Sequence, residues 1–221
     1  MDSKEMAPGD IERRSFEIIT DELGGRTFPP LEEPVVKRVI HTTADFTYAD
    51  SLVFTHDAAH CALDALRAGA TVLTDTNMAL AGISKPALAK LGCKAVCYMA
   101  DPDVAAAARA TGTTRAVASM DKACGIEGPL IVAVGNAPTA LLTIADEIES
   151  GLRPALVIAV PVGFVNVVES KERLFAVCTQ YGVPAIAAMG RKGGSNVAAA
   201  ICNALVYSAA EMLDPAARGW Q

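Results

Sequence analysis

The chain has 221 residues, of which 52% are hydrophobic and 20% are charged, a composition typical of a folded globular protein rather than a disordered one. Its formal charge is −6 and it has no long basic run, which argues against nucleic acid or an anionic membrane as a partner. Residues 1–9 lack the apolar core of a secretory signal, and no apolar stretch is long enough to span a membrane, so we expect a cytoplasmic protein.

The predicted elements begin with two helical patterns, at residues 10–23 and 32–42, joined by a linker rich in glycine and proline. Short apolar runs and helical patterns then alternate along the rest of the chain, as in proteins whose strands are buried on both faces. The predicted strands are residues 71–75, 95–100, 130–135, 155–161 and 185–190. The predicted helices are residues 57–68, 103–110, 114–124, 138–150, 171–181 and 195–213.

This order of elements predicts one α/β domain over residues 1–221. We expect a mostly parallel central sheet of about five strands, flanked by helices on both faces, because repeated strand–helix units form right-handed crossovers. The N-terminal helices should pack on the edge or end of the sheet. Residues 1–8 and 215–221 are expected to be flexible tails.

Three glycine-containing loops follow predicted strands, where ligands bind in open parallel sheets. Asn136 and Ser195 are natural N-caps, which predicts helix starts with free N–H groups that attract carboxylates or phosphates. The candidate binding residues in these loops are Asn136, Thr139, Gly163, Arg191, Gly193 and Gly194. Phosphate-binding GxxxxGK[ST] and dinucleotide-binding GxGxxG motifs are absent, so a nucleotide site is poorly supported.

His41 is the candidate for proton chemistry. If residues 32–42 form a helix, then Val35, Val36, Val39 and Ile40 form one apolar stripe and His41 lies nearly opposite its centre. The residue shares the polar face with Arg38 and falls in the last turn, where the helix dipole favours the imidazolium ion. The alternative is a solvated surface histidine at a helix end.

Two pairs of side chains have spacings that occur in metal sites. His56 and His60 have the i, i+4 spacing of a metal-binding pair. Because Thr55 resembles an N-cap, we favour the interpretation that His56 lies at a helix start and that His60 is a packed histidine. Cys93 and Cys97 lack a second ligand pair for zinc. We interpret all six cysteines as reduced, buried small hydrophobic residues.

Together, the motifs resemble the precorrin-8X methylmutase family of cobalamin biosynthesis over about residues 13–205. The order and spacing of the motifs make the resemblance specific, although each motif alone is weak. The matching stretches are Glu12-Arg13-Arg14-Ser15-Phe16, Arg38-Val39-Ile40-His41, Leu73-Thr74-Asp75 with Met78, Gly112-Thr113-Thr114-Arg115, Gly135-Asn136-Ala137-Pro138-Thr139-Ala140, Pro161-Val162-Gly163-Phe164-Val165, Glu169-Ser170-Lys171, Tyr181-Gly182-Val183-Pro184 and Gly190-Arg191-Lys192-Gly193-Gly194-Ser195.

The resemblance implies an isomerase that moves a methyl group from C-11 to C-12 of a corrin ring, a [1,5]-sigmatropic shift. The substrate would be precorrin-8X or cobalt-precorrin-8, and the product hydrogenobyrinate or cobyrinate. The family's catalytic histidine corresponds to His41, and its substrate-contacting residues to Ser15, Arg38 and Arg115. The resemblance also implies a homodimer with the site near the interface. No cofactor is expected, since any cobalt would belong to the substrate.

Two alternatives share some of these features. A non-catalytic tetrapyrrole carrier would use the same anion-binding loops but would need no acid. A flavodoxin-like phosphate or mononucleotide binder would use the same sheet edge, although the phosphate motifs are absent.

Overall fold

A computed structural model describes residues 6–220 of the chain. The strands are β1 Leu52–Thr55, β2 Thr71–Thr74, β3 Lys94–Val96, β4 Leu130–Val134, β5 Leu156–Ala159 and β6 Ala185–Ala188. The helices are α1 Pro8–Glu22, α2 Glu33–Thr43, α3 Tyr48–Ser51, α4 Ala58–Arg67, α5 Asn77–Gly82, α6 Lys85–Lys90, α7 Pro102–Thr111, α8 Arg115–Ala123, α9 Pro138–Glu149, α10 Val167–Tyr181 and α11 Ser195–Ala209. A 3₁₀ helix, Pro215–Arg218, follows them.

The strands form one sheet in the order β1-β6-β5-β4-β2-β3. Every neighbouring pair is parallel except β1 with β6, which is antiparallel. The predicted α/β class and mostly parallel sheet are therefore confirmed. The strand that sequence analysis missed is β1, a four-residue edge strand.

The prediction that Thr55 is a helix N-cap was also wrong. Thr55 ends β1 rather than capping a helix, and the N-cap of α4 is Asp57, whose φ is +52°. A short, partly exposed strand gives a weaker apolar signal than a buried one, so the run before His56 resembled a helix start. The short helices α5 and α6 were also missed.

Alternation along the strands divides the core into two layers. In β4, Ile131 and Ala133 pack with α2, α4 and α11, while Val132 and Val134 pack with α8, α9 and α10. Successive side chains of a strand point to opposite faces, so each strand contributes to both layers. The helix α2 packs across α11, and α1 packs on α2.

The C-terminal segment differs from the expected flexible tail. Residues Pro215–Arg218 form the 3₁₀ helix, and the buried Arg218 guanidinium forms an ion pair with Glu12 of α1. These partners are about two hundred residues apart in sequence, so local patterns could not predict their contact. Among residues 6–220, no helix is long and apolar enough to cross a membrane.

Candidate active site

The three predicted loops lie side by side because they follow β4, β5 and β6, which are neighbours in the sheet. The Gly194 N–H donates to the carbonyl of Val160 at 2.8 Å, and the Gly163 N–H donates to that of Arg191 at 3.2 Å. The structure therefore brings Gly163, Arg191 and Gly194 together at the carboxyl edge of the sheet.

Asp75, at the end of β2, organises the first of these loops. Its carboxylate accepts hydrogen bonds from the N–H groups of Gly135, Asn136 and Ala137 at 2.7–2.8 Å. Burial raises the pKa of Asp75 above its ordinary value, and the three N–H donors oppose this shift. Asp75 was not among the predicted site residues, although its position directly after a buried apolar run is visible in the sequence.

The predicted N-caps were wrong at both helix starts. The N-cap of α9 is Ala137, and the backbone N–H of Asn136 already donates to the Asp75 carboxylate. The N-cap of α11 is Gly194, and the Ser195 hydroxyl instead lies 2.8 Å from that of Thr76. The loop after β4 is thus held by an internal carboxylate rather than left with all its N–H groups free.

Gly193 occupies a position where a side chain has no space. A Cβ at this residue would lie 2.1 Å from the carbonyl oxygen of Val160, and one at Gly135 would lie 2.7 Å from the Cα of Ser195. Both contacts are to backbone, which cannot move without displacing a strand end or a helix start.

We therefore expect Gly193→Ala to lower the free energy of unfolding by about 1–3 kcal/mol, the usual range for overpacking. Urea unfolding followed by circular dichroism measures this. Gly125→Ala is the matched control, because its Cβ would have an ordinary 3.6 Å contact with Lys122. Equal stability of the two variants would show that the loop after β6 is not tightly constrained.

His41 lies in the last turn of α2 and is exposed to solvent. The predicted stripe is confirmed, since Val35, Val36, Val39 and Ile40 are all buried. The imidazole stacks on Phe16 of α1, with ring centroids 5.1 Å apart and planes 7° apart. One ring face is thus covered, while the residue as a whole stays exposed, as an acid that meets an external substrate requires.

Arginines beneath this stack form a buried ion network. Glu12 of α1 accepts hydrogen bonds from Arg38 and Arg218, and all three side chains are at most 12% exposed. Burial raises the pKa of Glu12, but the two guanidinium groups outweigh it and keep that pKa below its ordinary value. The guanidinium of Arg38 also lies over the Phe16 ring, 4.7 Å from its centroid.

This network changes the electrostatic expectation for His41. Partial desolvation, followed by the charge of Arg38, lowers the pKa of His41 below its ordinary value, and Glu12 opposes the shift only in part. The direction of this shift is opposite to the preference for the imidazolium ion that the helix dipole alone favours. Neither Phe16 nor Glu12 was among the predicted site residues.

The end of α2 is tied to the loop after β6. The Lys192 ammonium donates to the Asp45 carboxylate at 2.6 Å and to the Thr47 hydroxyl at 2.9 Å. His41 precedes Asp45 by four residues. The helix end that carries His41 is thus attached to the loop that carries Arg191 and Gly193.

Apolar side chains are exposed beside the same loops. Phe164 is 83% exposed and Val165 is 78% exposed, and the Arg191 guanidinium lies 5.6 Å from the Phe164 ring centroid. Exposed large apolar residues next to a cation suit a flat apolar ligand with acidic substituents, or a partner protein.

A groove of about 530 Å³ lies beside Phe16. It is lined by Arg13, Phe16, Glu17, Thr20, Pro30, Glu33, Pro34, Lys37, Arg38, Leu213, Asp214 and Pro215. Phe16 and Arg38 belong both to this groove and to the surroundings of His41, so the two are contiguous.

The remaining predicted residues lie apart or are engaged locally. Ser15 is half-buried, and its hydroxyl donates to the Ile11 carbonyl of its own helix. Thr139 is exposed in the first turn of α9. Arg115 is the exposed first residue of α8, on the sheet face opposite α2, and no described contact joins it to His41. Substrate binding by these residues stays a prediction.

No group of three metal-ligating side chains occurs within residues 6–220. The His56 imidazole lies 3.0 Å from the Thr179 carbonyl, and His60 lies 3.4 Å from Asp64. The six cysteines are free thiols, but only Cys178 and Cys202 are fully buried, so the expectation of general burial was too strong.

Comparison with known proteins agrees with this geometry. The family model described as precorrin-8X methylmutase matches residues 10–208. The cobalt-precorrin-8 methylmutase of Salmonella typhimurium is 48% identical, covering 90% of this chain and 95% of the relative. The precorrin-8X methylmutase of Pseudomonas aeruginosa is 37% identical, covering 88% and 93%. The crystal structure of precorrin-8X methylmutase from Thermus thermophilus matches with a TM-score of 0.83 at 44% identity, covering 91% of this chain and 96% of that one. The chain belongs to the precorrin-8X methylmutase family.

Proposed function

We propose that this protein is an isomerase of cobalamin biosynthesis that moves a methyl group from C-11 to C-12 of precorrin-8X or cobalt-precorrin-8. The observation that carries the proposal is His41, an exposed imidazole held in a fixed orientation by its stack on Phe16 and adjacent to the loops at the carboxyl edge of the sheet. Family membership over residues 10–208 supports the same activity.

The proposed chemistry needs one acid. His41 gives a proton to a ring nitrogen. The protonated ring draws electrons from the carbon that bears the methyl group, and this weakens the bond between that carbon and the methyl group. The bond from the methyl carbon to C-11 breaks while the bond to C-12 forms, and His41 takes the proton back. The atoms and the oxidation level of the substrate are unchanged, as an isomerisation requires.

The binding roles follow from the charge of the substrate. A corrinoid of this stage is an apolar disc with several carboxylates at its rim. Arg191 and the loop from Gly190 to Gly194 would bind carboxylates, and Ser15, Arg38 and Arg115 are further candidates by family resemblance. The Arg38 guanidinium is already paired with the Glu12 carboxylate, so a substrate carboxylate that binds Arg38 would share the guanidinium with Glu12.

We further propose that the protein is a homodimer with the site near the interface. The exposed Phe164 and Val165 support this proposal, because apolar side chains of this exposure beside a binding loop are typical of surfaces that a partner covers. Analytical ultracentrifugation tests it: a monomer at micromolar concentration would contradict it.

Turnover of the two substrates tests the proposed activity. Purified protein is incubated with precorrin-8X and, separately, with cobalt-precorrin-8, and the visible absorbance is followed as the ring conjugation changes. We expect conversion of at least one substrate to hydrogenobyrinate or cobyrinate. Tight binding of product without conversion of either substrate would instead establish a tetrapyrrole carrier.

A further inference from the structure

Lys171, in the Glu169-Ser170-Lys171 stretch of α10, has no part in the proposed chemistry and yet is fully buried. Its ammonium donates hydrogen bonds to the carbonyl oxygens of Gly190 and Lys192, both at 2.8 Å. Within residues 6–220 it has no ion pair with a carboxylate. A buried cation held only by backbone carbonyls costs stability. Because both carbonyls belong to the loop after β6, we look for the role of Lys171 in the conformation of that loop.

The two hydrogen bonds determine the orientation of the loop's peptide groups. In a trans peptide the C=O and N–H bonds point in opposite directions, and the described residues contain no cis peptide. Because the carbonyls of Gly190 and Lys192 point inward to Lys171, the N–H groups of Arg191 and Gly193 point outward. Neither N–H has an acceptor among the described residues, whereas the next N–H, that of Gly194, donates to Val160.

We propose that Lys171 is a positioning residue that turns the N–H groups of Arg191 and Gly193 outward, so that they bind a carboxylate of the substrate beside the Arg191 side chain. This inference rests on the proposed function, since it takes the corrinoid carboxylates as the ligand. Two N–H groups without an acceptor among residues 6–220, next to a guanidinium, form a site that suits the oxygens of a carboxylate.

The burial of Lys171 agrees with this role. Burial lowers the pKa of Lys171 to about 8, so the charge is retained at neutral pH at a cost in stability. A methionine would fill a similar volume without that cost, but it could not hold the two carbonyls inward.

Steady-state kinetics of Lys171→Met test the role. We expect KM for the corrinoid to rise about tenfold with kcat within about twofold of the wild type, because a carboxylate contact is lost while His41 is untouched. Leu174→Ala is the control, since Leu174 is equally buried on the same helix but its apolar side chain cannot bind the two carbonyls. Lys171→Arg keeps a cationic donor and should restore part of the affinity. A KM for Lys171→Met equal to that of Leu174→Ala would overturn the proposal.

Hydrogen exchange separates this inference from the proposed function. If the wild-type protein converts neither corrinoid, the proposed function fails, but the loop can still be examined. Mass spectrometry measures hydrogen exchange of the backbone N–H groups of residues 190–194. Each variant is measured at the same number of degrees below its own Tm, and exchange should be faster in Lys171→Met than in Leu174→Ala. Equal exchange in this segment would show that Lys171 does not hold the loop.

Discussion

Replacing His41 with alanine is expected to lower kcat for the corrinoid substrate by about 10²–10⁴-fold, the usual contribution of a general acid. The structure gives the reason, because His41 is the imidazole that combines exposure with a fixed ring plane next to the loops at the carboxyl edge of the sheet. Thermal stability should change little, since the variant loses one exposed aromatic stack. Absorbance-monitored turnover and Tm measure the two effects.

His60→Ala is the control for this variant. His60 is exposed on α4, and its described contact is with Asp64 of the same helix, so its loss should leave kcat unchanged. A kcat for His41→Ala close to that of His60→Ala would exclude His41 as the acid.

The pH dependence of the wild-type protein provides a second view of His41. An acid catalyst acts in its protonated form, so activity should fall as the pH rises through the His41 pKa. In the free protein that pKa lies below its ordinary value of 6.5, and kcat/KM, which reports the free protein, should therefore decline from below pH 6.5 upward.

The bound substrate should shift this profile. Substrate carboxylates near His41 favour the imidazolium ion, so the decline of kcat, which reports the complex, should lie at higher pH than that of kcat/KM. Profiles of kcat and kcat/KM between pH 5 and 9 measure both. A kcat decline at lower pH than that of kcat/KM would contradict this account of the charges.

Much of the fold could be predicted because its signals are local. Strands β4, β5 and β6 are continuous apolar runs and β2 has an apolar centre, and the structure buries every residue of each. The apolar stripe of α2 likewise placed His41 on the outer face of its helix. Neighbouring loops followed from the rule that parallel strands end at one edge of a sheet.

The remainder depends on contacts between distant residues. Asp75 binds amides some sixty residues later, so composition and spacing could not show that the loop after β4 is held by a carboxylate. Glu12 is paired with Arg218 across almost the whole chain, and both charges contribute to the field at His41, after desolvation and the charge of Arg38. A helical pattern alone could only assign Glu12 to the surface of α1.

Glu12→Gln is expected to lower the free energy of unfolding by about 3 kcal/mol, because it leaves the buried guanidinium groups of Arg38 and Arg218 without a counter-charge. For a chain of this length that corresponds to a fall in Tm of about 6–12 °C. Glu17→Gln on the same helix is the control. Its exposed pair with Arg14 should contribute no more than about 1 kcal/mol.

The sign of the pH dependence identifies the mechanism of this loss. The folded-state pKa of Glu12 lies below its ordinary value of 4.5, so its contribution is fully present above that pH and is lost as the pH falls through the lowered value. The difference in stability between wild type and Glu12→Gln should therefore be constant from neutral pH down to about pH 5.5 and should shrink below pH 4.5. Urea unfolding at a series of pH values measures it. A difference that persists unchanged into acid would mean that the variant disturbs packing rather than charge.

The same substitution removes the carboxylate that raises the His41 pKa. The decline of kcat/KM should therefore move further to acid pH in Glu12→Gln, which links the stability of α1 to the proton affinity of the proposed catalyst.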